Sequence, residues 1–268
     1  MKNGTTVICF ANNKGGSGKS TTCSNVGYGL SLMGKKVLLL DADMQANLSL
    51  AFLSEEQVLE ISEGDRNLYY AIRDEKDLSS YRVATGYEGL DLIPASPLMS
   101  SLEYDLFPKK DREHVLDNCL KSLKHSGEDD YILMDAPPTL GGWAMNLLIA
   151  SDYLVIPVEA SPWGLFGLAN MFDFYQKACE RNSHLSLMGI VVTKVDIRKN
   201  YYKQTMETLQ ELQDVHVFDT CIRMDSNIEW SQDNSKPVMA YKKSSRSALE
   251  YMSLTEEVEK IASGKKQH

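Results

Sequence analysis

Seven short apolar runs recur along the chain: Thr5–Phe10, Lys36–Leu40, Leu90–Ile93, Tyr131–Met134, Tyr153–Val158, Leu187–Val192 and Val215–Cys221. Continuous runs rich in β-branched residues suit strands buried on both faces, as in a parallel sheet covered by helices. Helical spacing fills the intervals. Lys19–Met33 carries Val26, Leu30 and Met33 on one stripe, and Gly34 follows where a helix stop is expected. Trp163–Arg181 and Ser245–Ile261 read as two further amphipathic helices. This alternation predicts an α/β fold, a mostly parallel, twisted sheet with helices on both faces. One domain over residues 1–268 is the simplest organisation, because no repeat, low-complexity tract or Pro/Gly-rich linker divides the chain. Its least regular part is Ser54–Lys110.

Composition narrows the picture. With 268 residues, 43% of them hydrophobic and 24% charged, the chain is foldable. The balance of 28 Lys+Arg against 37 Asp+Glu leaves a formal net charge of −9, so any contact with nucleic acid must come from a local basic patch. None of the apolar runs approaches the ~20 residues that cross a bilayer. The opening Met1-Lys2-Asn3-Gly4-Thr5-Thr6 lacks the charged segment and long apolar core of a secretory signal, and a cytoplasmic protein without a membrane partner is expected. Cys9, Cys23, Cys119, Cys179 and Cys221 are widely spread and form no C-x-x-C pair, which reads as buried free thiols.

Chemistry enters where the first run ends, in Asn12-Asn13-Lys14-Gly15-Gly16-Ser17-Gly18-Lys19-Ser20-Thr21, which opens directly into the Lys19–Met33 helix. Strand, glycine loop and helix follow one another. Glycines at 15, 16 and 18 let backbone N–H groups converge on phosphate oxygens, and the helix start adds partial positive charge. Lys19 would then reach the β/γ-phosphates, and the Ser20 hydroxyl would coordinate Mg²⁺. The usual P-loop glycine five residues before Gly18 is replaced by Asn13, and Lys14 adds a second cation that is costly unless an anion lies between it and Lys19. The second run delivers Asp41-Ala42-Asp43-Met44-Gln45 to a strand's C-terminal end, where open parallel sheets place their ligands. Tyr131–Met134 leads into Asp135-Ala136-Pro137-Pro138, an apolar strand ending in a carboxylate suited to Mg²⁺, with prolines that fix the chain's exit.

In this order the motifs resemble those of the ParA/MinD family of deviant Walker A ATPases, most like the short, Soj-like ParA DNA-partitioning proteins. The resemblance runs over nearly the whole chain. It implies a P-loop NTPase fold and Mg²⁺-ATP as ligand. Lys14, Gly15, Gly16, Ser17, Gly18, Lys19, Ser20 and Thr21 would wrap the nucleotide, and Ile222-Arg223-Met224-Asp225 would border the adenine, adding Arg223. Lys14 corresponds to the signature lysine that crosses a sandwich homodimer to the partner's nucleotide. With Lys19 and Asp43 it makes up the catalytic set, Asp43 positioning the attacking water. Ser20, Asp41 and Asp135 form the metal side, Asp41 bracing the Mg²⁺ shell. Met44 stands where the family commonly has proline.

The same resemblance implies slow ATP hydrolysis raised by a centromere-binding, ParB-like partner, nonspecific DNA binding by the ATP-bound dimer, and a nucleoid-associated location in the cytoplasm. Arg198, Lys242, Lys243 and Arg246 are the candidate DNA contacts, because Asn227 occupies the position of the family's DNA-binding arginine. The loop begins by residue 14, so the N-terminal DNA-reading domain of longer members is not expected here. Three alternatives stand beside this expectation. A MinD-like, membrane-associated division regulator needs a basic C-terminal helix with bulky apolar residues, and Ile261–His268 offers little to bury in lipid. An iron–sulfur carrier needs grouped thiolates, and no suitable pair is visible. A scaffold that ATP merely clamps would not need Asp43, which favours slow chemistry.

Overall fold

The computed structural model of the chain describes residues 4–161 and 163–264. Six of its apolar runs and one further segment, Val83–Tyr87, form seven strands: β1 (Thr6–Phe10), β2 (Val37–Asp41), β3 (Val83–Tyr87), β4 (Leu90–Ile93), β5 (Tyr131–Asp135), β6 (Tyr153–Glu159) and β7 (Ser186–Thr193). They lie in the order β3-β4-β2-β5-β1-β6-β7, and all neighbours are parallel except β3 and β4. The period of two along each strand sorts side chains into two cores. Val7, Cys9, Leu38, Leu40, Ile132 and Met134 fill one face. Ile8, Phe10, Val37, Leu39, Tyr131 and Leu133 fill the other. Helices cover both faces, which is why the strands read as unbroken apolar runs and not as alternating ones. The result is the single α/β domain that the pattern predicts.

On the second face, helix Lys19–Leu32 is wedged between β2 and the last helix, Arg246–Gly264. Two glycines make the wedge possible. A Cβ at Gly27 would stand 2.6 Å from Leu39 Cδ2, and one at Gly29 would stand 2.9 Å from Thr255 Cγ2. Thr255 cannot yield easily, being fully buried with its hydroxyl donating to the Tyr251 carbonyl at 2.7 Å. This close approach aims the start of the Lys19 helix at the C-terminal edge of the sheet.

Three elements differ from expectation. Val83–Tyr87 is an edge strand inside the stretch expected to be irregular; its half-buried pattern, a bulge between Ala84 and Tyr87 and Gly86 at φ 83° erase the alternation that would mark it. Val215–Cys221 forms no strand and contributes only isolated bridges, Ile190 to Val217 and, just beyond it, Val195 to Arg223. The carboxylate of Glu257, on the last helix, accepts the N–H groups of Asp219 and Thr220 at 2.9 Å each, taking two donors that a ladder would need. The helix expected over Trp163–Arg181 runs only from Leu168 to Cys179. Gly167 holds a left-handed φ of 87° beside Asn13, and this breaks the helix at its start.

Gly29→Val should lower stability by about 1–3 kcal/mol through overpacking, read as a lower urea midpoint at unchanged slope. Adding Thr255→Ala should recover part of the loss, and strict additivity of the two changes would refute the contact.

Candidate functional site

The strand ends converge on the loop between β1 and helix Lys19–Leu32. Gly16 and Gly18 hold φ values of 73° and 89°, a region that side-chain-bearing residues avoid. A Cβ on Gly18 would meet the Thr193 side chain at 3.4 Å. Thr193 ends β7 and donates its hydroxyl to the Ser17 carbonyl at 2.8 Å. Asn12, almost fully buried, donates to the Pro157 carbonyl at 2.7 Å and accepts the Lys14 N–H at 3.0 Å. The loop is thus fastened to β6 and β7. Helix Lys19–Leu32 begins at a glycine with no side-chain cap, so its first N–H groups are left for an anion.

The two lysines of the loop have different surroundings. Lys19 is 6% exposed, and its Nζ lies 3.4 Å from the Lys14 carbonyl. Burial pushes its ammonium below the usual lysine value, while the charges of Asp135 and Asp43 act in the opposite direction. A cation held in this way is stabilised by an arriving anion. Lys14 is turned away toward the end of β6, where its Nζ sits 2.7 Å from Glu159 Oε2 and 3.1 Å from Ser161 Oγ.

Register brings the carboxylates together, because Asp41 on β2 pairs directly with Asp135 on β5. Asp41 is fully buried, and its Oδ2 accepts both the N–H and the hydroxyl of Ser49 at 2.7 Å. Its Oδ1 accepts the Asp43 N–H at 3.3 Å. Burial pushes the Asp41 carboxyl up to about 7, against the pull of the Ser49 hydrogen bonds. Asp135 is also fully buried, but neither of its oxygens has a hydrogen-bond partner within 3.5 Å. Burial, and then the charge of Asp41, push its carboxyl well above the ordinary range, while Ser20 and Lys19 favour the charged form. Asp43 is 6% exposed and accepts the Gln45 N–H at 3.1 Å.

This donor set fits a magnesium ion. The two orphaned oxygens of Asp135 are what a cation and its water shell would satisfy, with Ser20 beside them. Asp41, by contrast, already has both oxygens occupied by protein donors. Among the described residues no three His, Cys, Asp or Glu side chains form a closed cage. That suits an ion which keeps waters and shares phosphate oxygens.

In the segment expected to border the adenine, the half-buried Arg223 is tied to Glu250, whose carboxylate pairs with its guanidinium and accepts its N–H at 2.9 Å. Asp225 caps the next helix, Ser226–Asp233, from which Gln232 donates to Thr21 Oγ1 at 2.9 Å. The segment around Arg223 therefore borders the phosphate-loop helix. Of the candidate DNA contacts, Arg198 is 86% exposed but chelated by Asp196, with two N–O contacts of 2.9 Å. Lys242, Lys243 and Arg246 are exposed, and Arg246 also donates to the Met224 carbonyl at 2.6 Å. Cys9, Cys23 and Cys119 are buried, as expected, whereas Cys179 and Cys221 are half-buried.

Several contributors carry no local signature. Glu159 and Ser161 face Lys14, Ser49 serves Asp41, and Glu250 serves Arg223. Trp143 donates its indole N–H to the Ala42 carbonyl at 3.0 Å. Only Thr193 lies in a stretch with a visible pattern, Val192-Thr193-Lys194-Val195-Asp196.

Comparison with known proteins bears on the family and the fold. The family model described as "AAA domain" matches residues 5–187. The chain is 33% identical over 253 residues to the sporulation initiation inhibitor protein Soj of Bacillus subtilis, covering 94% of this chain and 97% of that protein. It is 30% identical to the chromosome partitioning protein ParA of Caulobacter vibrioides, covering 94% and 93%. Among solved structures, cobyrinic acid a,c-diamide synthase from Mycobacterium smegmatis, with a bound ATP analog and magnesium, superposes with a TM-score of 0.82 at 23% identity over 96% of this chain and 94% of that one. At that identity the likeness concerns the fold alone.

Thr193→Val keeps the shape at the end of β7 and removes the bond to Ser17. Amide exchange over residues 15–19 should quicken by about three- to tenfold, the worth of one hydrogen bond. Unchanged protection would show that the loop does not depend on Thr193.

Proposed function

The chain belongs to the ParA/MinD family of P-loop ATPases, and on that footing we propose that it is an ATP-driven DNA-partitioning switch. In this reading Mg²⁺-ATP binds in the loop of Lys14–Thr21 and drives a sandwich homodimer. The dimer binds DNA without sequence preference, and a centromere-binding, ParB-like partner stimulates hydrolysis and release. The protein acts in the cytoplasm, on the nucleoid. The observation that supports it best is the division of labour between the two loop lysines. Lys19 is buried among Asp135 and Asp43, whereas Lys14 is drawn off toward Glu159 and Ser161, outside that cluster. A lysine placed outside its own acidic cluster suits service to a neighbouring subunit's nucleotide.

The residues then have distinct tasks. Lys19 and the uncapped helix start hold the β/γ-phosphates, and Ser20 and Asp135 hold the magnesium ion, which when bound neutralises phosphate charge. Asp43 orients the attacking water. Asp41, occupied by Ser49 and the Asp43 N–H, acts as a brace behind it. Lys14 supplies a second cation in trans. Lys242, Lys243 and Arg246 offer exposed charge to DNA, and Arg198 offers less because Asp196 already neutralises it.

Two alternatives lose ground to specific observations. In the last helix Tyr251, Leu254, Val258 and Ala262 are buried in the core and not free to lie on lipid. Among the described residues no helix is long and apolar enough to cross a membrane. Residues 265–268, read from the sequence as a poor lipid anchor, lie outside the described residues. A cluster-carrying role needs thiolates, yet burial raises the Cys9 and Cys23 thiols and pushes Cys119 up to about 11.

Lys19→Ala should abolish the calorimetric heat of ATP binding. Asp43→Ala should cut phosphate release by about 10²-fold or more while preserving an ATP-dependent dimer in sedimentation. Lys14→Gln should bind ATP and remain monomeric. Absence of phosphate release by the native protein with Mg²⁺-ATP, DNA and its partner would leave only a scaffold.

Random-sequence duplex should be retained only with ATP. With Lys242, Lys243 and Arg246 from both subunits engaged, the log affinity should fall against log salt with a slope of roughly −5. Sedimentation with liposomes in place of DNA retention would overturn the partitioning reading.

A further inference from the structure

Trp143 lies outside every motif used so far, yet it reaches the acidic cluster. Three backbone groups fix the turn that carries Asp43. Its own N–H donates to Asp41 Oδ1 at 3.3 Å, and its own carbonyl accepts the Ala46 N–H at 3.0 Å. The carbonyl of the preceding residue, Ala42, accepts the indole Nε1–H of Trp143 at 3.0 Å. The first two bonds are internal to the turn. The third comes from a segment 101 residues further along.

That bond is well protected. Trp143 is 3% exposed and Ala42 1%. The Ala42 N–H donates to the Asp135 carbonyl at 3.0 Å, so the residue before Asp43 is held on both sides. Trp143 is itself anchored, because its backbone N–H donates to Glu103 Oε1 at 3.1 Å. Its helix, Gly142–Ile149, is tied down by Asn146, whose amide donates to the carbonyls of Arg112 at 2.8 Å and Gly142 at 3.0 Å. A rigid donor thus meets a backbone carbonyl one bond away from the residue proposed to orient water.

We infer that Trp143 is a positioning residue, whose indole N–H sets the plane of the Ala42–Asp43 peptide and so the stance of the Asp43 carboxylate. The inference rests on the reading of Asp43 given above. It adds a route of communication. Trp143 is the second residue of the helix that follows the exit Asp135-Ala136-Pro137-Pro138, so one N–H···O=C bond links that exit to the turn of Asp43. The ring also packs in the core, and a purely structural role would require only its shape.

The experiment removes the donor and keeps the ring. In the full-length protein, Trp143→Phe, and separately replacement of Trp143 by benzothienylalanine, which has sulfur in place of the indole N–H, are assayed for phosphate release across ATP concentrations. The expected result is a fall in kcat of about tenfold with KM for ATP within about twofold, since a misplaced reacting group lowers turnover without weakening ground-state binding. Native kcat in the benzothienyl protein would overturn the inference, as would a fall in kcat matched by an equal rise in KM. Asp43→Asn is run beside them. If that variant turns over normally, the reading of Asp43 fails; if it is inactive while the Trp143 variants are native, only the role of Trp143 fails.

Discussion

Charge held out of water at the C-terminal edge of the sheet is the constraint on which the rest of the structure depends. Asp41 and Asp135 stand opposite each other on adjacent strands, both fully buried, with Asp43 and Lys19 close behind. In a low-dielectric setting such groups disturb one another strongly, and each must find a hydrogen bond, a counter-charge or a ligand. Asp41 finds Ser49. Asp135 finds no hydrogen-bond partner within 3.5 Å, and Lys19 is depressed by burial despite two nearby carboxylates. A site in this condition suits a triphosphate and its metal ion, which would supply the missing anion and cation together.

The packing around it keeps these groups in place. Glycines 27 and 29 bring helix Lys19–Leu32 hard against β2 and the last helix, and this directs its start at the strand ends. Thr193 and Asn12 pin the loop to β6 and β7, so its conformation does not rely on a bound ligand alone. Long-range hydrogen bonds of this kind link the loop, the acidic turn and the base-side segment. Their common design is that a side chain from a distant strand or helix holds a backbone carbonyl or N–H beside a reactive residue.

Much of this was legible in the sequence. The loop of Lys14–Thr21 and the aspartates at 41, 43 and 135 each close an apolar run, so their place at strand ends follows from periodicity. Six of the seven expected strands form. The edge strand at Val83–Tyr87 is not legible because its bulge and half-exposed face destroy the alternation, and Val215–Cys221 has the apolar content of a strand but not its ladder, since Glu257 captures two of its amides. The start of helix Leu168–Cys179 is hidden for a related reason, since the left-handed turn at Gly167 lies against Asn13, a contact that no local run of residues shows.

The sequence by itself determined which residues stand at the strand ends and the helix start, because short-range spacing places the glycines, lysines and carboxylates of the candidate site there. Tertiary structure alone decided how they are used. Strand order sets Asp41 opposite Asp135, the far end of β6 takes Lys14 away from the acidic cluster, and a tryptophan a hundred residues distant reaches the turn of Asp43. Such pairings depend on which strands become neighbours, and that is settled by the burial of two whole faces of the sheet and not by any local run of residues.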